Sequence, residues 1–165
     1  MLHRSSRYEE APSFLDTVTV ELWTVRGLAH YRVLFVLKLG TRAVEIAGIA
    51  PEPSQSMACN LTDPLEGFLR AARWLIHDRS ALFTEPFRLL LRGANVAVLR
   101  SPARSPNPNA FAERFVPTVR HECLDRMVFS GEASLCRTIE EFVIHYNQER
   151  NHQSLDNKII RPERP

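Results

Sequence analysis

Residues 14–24 alternate between apolar and polar side chains, and this alternation limits the fold more than any other part of the sequence. One side of the alternation carries Phe14, Asp16, Val18, Val20 and Leu22. A period of two residues predicts a β-strand with one face buried. Asp16 therefore stands in line with an apolar face.

Two further strands are predicted at short intervals. Gly27 interrupts the first run, and residues 31–39 alternate again, with every second side chain apolar. Gly40 and Thr41 then supply a turn into a third strand over about residues 42–49. Three strands joined by short links predict an antiparallel meander.

From residue 51 the pattern changes to alternating helices and strands. Helices are predicted over about residues 54–61, 65–73, 85–92, 110–127 and 134–146, and strands over 74–78 and 96–99. Strands separated by helices pair in parallel through crossovers. Together with the meander they predict an α/β fold, in which a mixed sheet of three antiparallel strands followed by two parallel strands is flanked by helices.

The rest of the chain is divided by composition. Residues 1–13 are predicted to be a flexible leader, residues 14–150 the folded core and residues 151–165 a polar C-terminal tail. The three prolines of residues 101–109 predict a loop. Trp23, Trp74 and the nine phenylalanines are expected to lie mostly in the core.

Composition limits the class of protein. A chain of 165 residues, 44% of them hydrophobic, suffices for one domain, and its uncharged runs are too short to cross a membrane. Three cysteines without a C-x-x-C pair encode neither a disulfide framework nor a zinc ribbon, which favours a reducing cytosol. Four arginines and no acid lie between residues 86 and 112, an excess that fits either a phosphate-facing strip or a solvated surface.

Three acids could meet at one edge of the predicted sheet. Asp16 lies on the first strand, Asp78 at the carboxyl end of the fourth, and Glu113 in the first turns of the helix after the loop. Three carboxylates at one point repel unless cations lie between them, and Mg²⁺ is the usual choice. Two ions about 3.5 to 4 Å apart suit an in-line phosphoryl displacement. Taken singly, each acid is more simply explained as a solvent-exposed carboxylate.

Five blocks of sequence, taken in order, resemble the catalytic blocks of integrases and DDE transposases. They cover residues 16–24, 77–83, 105–115, 121–126 and 145–155. The 34 residues between Asp78 and Glu113 are close to the separation typical of this family. The Asn-Ala-Phe-Ala-Glu-Arg-Phe run that ends at Phe115 and the His-Tyr-Asn-Gln-Glu-Arg-Asn-His run that begins at His145 resemble those of bacterial insertion-sequence transposases.

The resemblance implies a ribonuclease-H-like fold and a function in DNA transposition or integration. Asp16, Asp78 and Glu113 would form the catalytic, metal-binding triad and hold two Mg²⁺ (or Mn²⁺) ions. In that family the ions assist water in nicking the ends of the transposon, and then assist the freed 3′ hydroxyl in attacking target DNA. Because two ends must be paired, the active complex would be a homo-oligomer, and the expected setting is the bacterial cytoplasm, on nucleoid DNA and away from membranes.

Six polar residues near the triad in sequence are candidates for contacts with the DNA backbone. They are Arg79, Arg104, Asn107, Asn109, Arg114 and Arg120. A guanidinium can grip phosphate in two places, although each arginine could equally be an ordinary surface residue. The asparagines could instead form a turn or a helix cap. His121, His145 and His152 are expected to have structural roles.

Three features depart from the family pattern. Only 13 residues precede the first predicted strand, so the chain is expected to lack the N-terminal DNA-binding module of its relatives. The segment 51–63 is short for a crossover helix and could leave part of the sheet uncovered. Pro117 lies inside the helix of Glu113, where a proline costs about 3 kcal/mol or bends the helix. The alternative function is therefore a catalytically silent DNA-binding or interaction remnant of a transposase.

Overall fold

The computed structural model describes residues 12–52, 55–69, 72–77, 83–100, 106–149, 151–152 and 158–160. Its strands are β1 (Ser13–Thr24), β2 (Gly27–Lys38), β3 (Val44–Ala50), β4 (Trp74–His77), β5 (Ala97–Arg100), β6 (Phe129–Ser130), β7 (Asn151–His152) and β8 (Lys158–Ile159). Its helices are α1 (Gln55–Thr62), α2 (Glu85–Gly93), α3 (Pro106–Glu122) and α4 (Glu132–Gln148), with a 3₁₀ turn at Leu124–Arg126. Within these ranges no helix is both long and apolar enough to cross a membrane.

The strands form one mixed sheet in the order β3-β2-β1-β4-β5. β1, β2 and β3 pair antiparallel, whereas β4 pairs in parallel with β1 on one side and with β5 on the other. The short strand β6 also pairs in parallel with β1, beyond β4. The predicted fold class is confirmed, including the three antiparallel strands and the two parallel ones. β7 and β8 pair with each other in a separate two-stranded sheet.

The alternation along β1 sorts the core into two layers, one on each face of the sheet. On one face Leu15 and Leu34 pack with α1 and α2, through side chains such as Met57 and Phe87. On the other face Val18 and its neighbours pack with α3 and α4. The second face carries Asp16, because residues an even number apart on a strand point the same way.

The α1 side of the sheet is only partly covered. Helix α1 has eight residues and is about 12 Å long, whereas the 12 residues of β1 extend for about 40 Å. On this face Leu15 is buried, but Thr19, Glu21 and Trp23 are exposed. Trp23 is 58% exposed and Trp74 45% exposed, so the expectation that the tryptophans lie in the core is wrong. All nine phenylalanines are buried or half-buried.

The helix predicted over residues 65–73 is not seen in its described residues, 65–69 and 72–73, and a turn anchored on Asp63 takes its place at the start. The backbone amides of Leu65 and Glu66 donate to the Asp63 carboxylate at 2.8 and 2.9 Å, and the Gly67 amide donates to the Asp63 carbonyl at 2.9 Å. A Cβ at position 67 would lie 2.5 Å from the backbone of Asp63. The turn does not continue as a helix, because the Leu69 amide donates to the carbonyl of Leu61 at 2.9 Å and not to that of Leu65.

Helix α3 also begins and ends earlier than predicted. It starts at Pro106 rather than Ala110, so residues 106–109 are helical and only 101–105 of the predicted loop lie outside the described residues. Proline suits a first helical turn because the amide groups there have no partner within the helix. The last residues of the prediction, up to Met127, leave the α-helix and form the 3₁₀ turn.

Candidate active site

One edge of β1 is open between two short partner strands. β4 pairs with residues 13–15 of β1 and β6 pairs with residues 22–23. Residues 16–21 have no strand partner on that edge among the residues that the structure describes. Asp16 is the first residue of this open stretch, next to the end of β4.

Asp16 is half-buried on the face of the sheet that α3 covers. It pairs across the sheet with Phe35, so both side chains point to this face. The backbone amide of Thr17 donates to Asp16 Oδ1 at 2.7 Å. This hydrogen bond restricts the rotamers of the Asp16 side chain.

The carboxyl end of β4 lies beside Asp16. His77, the last residue of β4, pairs with Leu15 and is buried against Phe83, with ring centroids 5.1 Å apart. Asp78 is the next residue in the sequence. Asp78 and the predicted DNA contacts Arg79 and Arg104 lie outside the described residues.

Helix α3 lies on the face of the sheet that carries Asp16, and its successive contacts, first with the cross-strand partner of Asp16 and then with Thr19, follow the direction of β1. Near its middle, the ring of Phe115 packs on Phe35 with centroids 4.7 Å apart. One and a half turns later, Arg120 Nη2 donates to the carbonyl oxygen of Thr19 at 3.2 Å. Arg120 thus donates to a backbone carbonyl within residues 16–21 of β1, the stretch that pairs with no described strand on its open edge.

Glu113 is exposed on α3 and lies on the side of the helix that carries Arg120, seven residues later, and not on the buried side marked by Phe115. Pro117 lies inside the same helix, which continues unbroken to Glu122. Since proline has no amide hydrogen, the carbonyl of Glu113 receives no helical hydrogen bond from position 117. One residue further on, the hydroxyl of Thr118 donates to the carbonyl of Arg114 at 2.8 Å.

The remaining predicted DNA contacts lie on α3. Arg114 is exposed. Asn107 and Asn109 belong to the first turns of the helix, and their side chains lie outside what the structure describes. Within the described ranges no three His, Cys, Asp or Glu side chains come together to hold a metal ion. Those ranges include only two of the three predicted acids.

The block that begins at His145 holds α3 and β3 in place. The rings of Phe142 and Tyr146 on α4 pack against Phe115, with centroids 6.3 and 5.2 Å apart. The buried side chain of Asn147 accepts from the Val44 amide at 3.0 Å and donates to the Val44 carbonyl at 2.8 Å. His145 Nδ1 lies 2.6 Å from a carboxylate oxygen of Glu149. The packing role of Tyr146 and Asn147 was not predicted from the sequence.

Arg42, in the turn between β2 and β3, is a second residue that was not predicted from the sequence. Its backbone is left-handed, with φ of 66°, which costs about 1–2 kcal/mol for a residue with a Cβ. Its guanidinium lies over the ring of Phe111 on α3, 3.2 Å from the centroid, and donates to the carbonyl of Leu39. From the sequence, Gly40 would be expected to be the left-handed residue of this turn, because glycine adopts that conformation most easily. The left-handed residue is instead Arg42.

The electrostatic environment of Arg42 is unfavourable for its charge. Burial lowers the pKa of its guanidinium, and the neighbouring Arg114 lowers it further, whereas Tyr146 acts in the opposite direction. Arg42 Nε is buried without a hydrogen-bond acceptor among the described residues. Arg42 and Arg114 therefore place two positive charges close together beside the middle of α3.

A cleft of about 540 Å³ continues from the open edge of β1 toward the 3₁₀ turn. Its lining includes Thr19, Glu21, Trp23, Arg120 and Met127. Trp23 and Met127 are both more than half exposed there. The cleft thus places the exposed side chains of Trp23 and Met127 beside Arg120.

Comparison with known proteins identifies the family pattern in the C-terminal part of the chain. Residues 95–159 match the family described as the integrase core domain. This segment contains α3, with Glu113, and α4, with the block that begins at His145. No curated protein is significantly similar to the chain in sequence.

Solved structures share the fold over nearly the whole chain. The HTLV-2 integrase catalytic core domain in complex with magnesium, in its trimeric form, is 10% identical with a TM-score of 0.64, over 92% of this chain and 93% of that one. Its dimeric form matches over the same shares with a TM-score of 0.59. The simian T-cell lymphotropic virus intasome in complex with PP2A regulatory subunit B56 gamma gives 10% identity and a TM-score of 0.62, over 87% of this chain and 50% of that one. At this identity the likeness shows the fold, which is the ribonuclease-H-like fold of integrase cores.

Proposed function

We propose that this chain, which resembles an integrase catalytic core, cleaves DNA and transfers strands with a DDE triad. Its fold and the match of residues 95–159 to the integrase core family support the proposal. The triad consists of Asp16, Asp78 and Glu113. The reaction is a metal-dependent displacement at a phosphodiester. Residues 14–150 form the catalytic core in this proposal.

The observation that carries the proposal is the alignment of α3 with β1. Arg120 contacts Thr19, which fixes how far along the strand the helix lies. Glu113 precedes Arg120 by seven residues, about 10 Å along a helix, and Asp16 precedes Thr19 by three residues, about 10 Å along a strand. Because α3 and β1 run in the same direction, Glu113 and Asp16 are expected side by side, at the same distance along the helix and the strand from the contact between Arg120 and Thr19.

The pairing of β4 with β1 supports a position for Asp78 close to Asp16. His77 pairs with Leu15, so the chain leaves β4 beside Asp16. Consecutive Cα atoms are about 3.8 Å apart, which limits how far Asp78 can lie from that point. All three elements that carry an acid therefore lead to the open stretch of β1.

The donor set suits a hard divalent cation. Carboxylate oxygens are the ligands that Mg²⁺ and Mn²⁺ prefer, and Asp16 presents its carboxylate on an otherwise apolar face. Asp16, Asp78 and Glu113 would hold the proposed two ions. When bound, such ions activate the attacking oxygen and stabilise the leaving oxygen of a phosphoryl displacement.

The chain's own residues would bind and orient the DNA. Water attacks a phosphorus at the transposon end, and the P–O3′ bond there breaks. The freed 3′ hydroxyl then attacks a phosphorus of target DNA, where its oxygen forms a new P–O3′ bond, the target's own P–O3′ bond breaks, and the 3′ oxygen of the target leaves and takes up a proton. The transition state carries negative charge, which guanidinium groups stabilise. We assign the backbone contacts to Arg114 and Arg120, which follow Glu113 on α3, and to Arg79, Arg104, Asn107 and Asn109.

The proposed complex contains both DNA and further copies of the chain. Two transposon ends must be held together for transfer, so we propose a homo-oligomer in the active complex. The dimeric and trimeric forms of the HTLV-2 core show that one such fold associates with itself. The blocks shared with insertion-sequence transposases favour nucleoid DNA in a bacterial cytoplasm as the setting.

The direct test is nicking of supercoiled plasmid DNA by the purified chain. We expect conversion of supercoiled to open-circular plasmid in the presence of Mn²⁺ or Mg²⁺, and no conversion when EDTA is present. A chain that binds DNA but never nicks it with either ion would contradict the proposal. A salt series in a filter-binding experiment measures the binding separately.

Replacing Arg114 with methionine should weaken DNA binding. The exposed guanidinium is expected to contact a phosphate, and each such contact contributes about 0.9 to the slope of log K against log salt concentration for duplex DNA. The variant should therefore bind more weakly at low salt, with a slope shallower by about one unit. Filter binding from low to moderate salt measures both.

The matched control for Arg114 is Arg137→Met on α4. Arg137 lies on a different helix, away from the turns that carry Glu113. We expect the control to keep the slope of the parent. If Arg114→Met and Arg137→Met change the slope equally, Arg114 makes no specific contact with the DNA.

One observation favours a second function, that of a catalytically silent DNA-binding remnant. Pro117 leaves the carbonyl of Glu113 without its helical hydrogen bond, which weakens the turn that carries the third acid. Such a remnant would show salt-dependent DNA affinity without cleavage. The nicking and filter-binding measurements together decide between the two functions.

A further inference from the structure

Arg42 combines several features that ordinary surface arginines lack. It is the residue of its turn with a left-handed backbone, and its guanidinium is stacked on an aromatic ring. Its Nε is buried without an acceptor among the described residues. Strained residues of this kind persist only where the surrounding structure determines their conformation, and they concentrate at functional sites.

The ring beneath Arg42 belongs to the helix of Glu113. Phe111 lies two residues before Glu113, and Phe115 lies two residues after it. Phe115 is held between the sheet and α4 by Phe35 and Tyr146. Phe111 is half-buried and has the guanidinium of Arg42 over its ring. The two rings share the packed side of α3, opposite Glu113.

This half of α3 needs such support because its own hydrogen bonding is incomplete. Pro117 has no amide hydrogen to donate to the carbonyl of Glu113. The turn around Glu113 is therefore held by packing on its opposite side more than by the helix itself. A cation over an aromatic ring is a directional contact that fixes where the ring lies.

We propose that Arg42 is a positioning residue, which through its contact with Phe111 sets the place of Glu113 in the DNA-cleaving site. The proposal rests on the function proposed above. Arg42 itself touches neither the DNA nor the proposed ions. Its turn is anchored by Arg42 N donating to Lys38 O at 2.7 Å and Lys38 N donating to Ala43 O at 2.8 Å, so the guanidinium projects from a fixed base.

The test compares Arg42→Asn, Phe111→Leu and the double variant. Asparagine tolerates a left-handed backbone, so Arg42→Asn removes the guanidinium with little disturbance of the turn. A small displacement of a catalytic group can cost about a hundred-fold in rate, and we expect each single variant to nick about ten- to a hundred-fold more slowly than the parent. The double variant should be no slower than the slower single variant, because both changes break the same contact.

DNA affinity and its salt dependence separate positioning from direct contact. Both should remain those of the parent in Arg42→Asn, and Arg137→Asn should leave both the rate and the affinity unchanged. Nicking by Arg42→Asn at the rate of the parent would overturn the proposal. A weaker affinity with a shallower salt slope would also overturn it, because Arg42 would then be a phosphate contact.

Hydrogen exchange decides the proposal even if the parent chain does not nick DNA. Absence of nicking by the parent would be a failure of the proposed function, not of the contact. In that case Arg42→Asn should speed amide exchange in residues 109–115 while exchange in β1 and β2 stays unchanged. Equal exchange of residues 109–115 in variant and parent would refute the positioning role.

Discussion

Replacing Asp16 with asparagine is expected to abolish DNA nicking while the protein stays folded. Asparagine keeps the oxygen that accepts from the Thr17 amide, so the local structure of β1 should survive. It removes the negative charge that a divalent cation requires. Stabilisation by bound ions is worth several kcal/mol, so we expect the rate to fall by about a thousand-fold or more. Conversion of supercoiled plasmid, measured with Mn²⁺, gives the rate.

DNA affinity distinguishes loss of chemistry from loss of binding. Removing a carboxylate reduces repulsion of phosphate, so Asp16→Asn should bind DNA at least as tightly as the parent. Asp78→Asn and Glu113→Gln should behave in the same way. The control is Asp63→Asn, in a turn on the other side of the sheet, which should nick at the parental rate. Nicking by Asp16→Asn at the parental rate would remove Asp16 from the triad.

Replacing Pro117 with alanine is expected to stabilise the fold. Alanine restores the amide that can donate to the Glu113 carbonyl, and an interior proline costs about 3 kcal/mol relative to alanine. The more flexible unfolded chain of the variant offsets about 0.4 to 1 kcal/mol of this gain. A net gain of about 2 kcal/mol in a chain of this size raises the melting temperature by about 4 to 8 °C.

Pro106→Ala is the matched control for Pro117→Ala. Pro106 is the first residue of the same helix, where an amide hydrogen would find no helical partner. We expect this variant to melt at or slightly below the temperature of the parent. If Pro117→Ala melts no higher than Pro106→Ala, the helix around Pro117 has already adapted to the proline and the turn at Glu113 is not weakened. Thermal unfolding followed by circular dichroism supplies both values.

Much of the fold was predictable because its strongest signals are periodic. The alternation along β1 indicated the two faces of the sheet, and the change to alternating helices and strands after residue 50 indicated the parallel pairs of β4 and β5. These patterns reflect the burial of apolar side chains, which is the dominant driving force of folding. Burial on one face of a strand or helix leaves a period of two or 3.6 residues in the sequence.

The errors arise where a local interaction outweighs periodicity. The pattern of residues 65–73 is helical, but the Leu69 amide donates to the carbonyl of Leu61 at 2.9 Å and not to that of Leu65, four residues before it. Residues 106–109 contain two prolines and were assigned to a loop, although proline is acceptable in a first helical turn. Trp23 is apolar and was placed in the core, but its exposure depends on how far α1 reaches across the sheet, which is a tertiary property.

The candidate site rests on acids that residue type and spacing single out. The role of Asp16 and Glu113 stays a prediction, and the alignment of the elements that carry them is visible only in the contact between Arg120 and Thr19. No sequence pattern marks Arg42. Its left-handed backbone and its contact with the ring of Phe111 exist only in the folded chain. Asn147 belongs to a recognised block, yet its bonds to Val44 join residues that are 103 positions apart.

Diffraction from crystals containing Mn²⁺ tests the central claim most directly. Mn²⁺ scatters anomalously, so its position is measured without reference to the expected site. The account predicts two peaks about 3.5 to 4 Å apart, with carboxylate oxygens of Asp16, Asp78 and Glu113 within about 2.5 Å of them. Peaks elsewhere on the molecule, or a carboxylate of this set turned away from both ions, would contradict it.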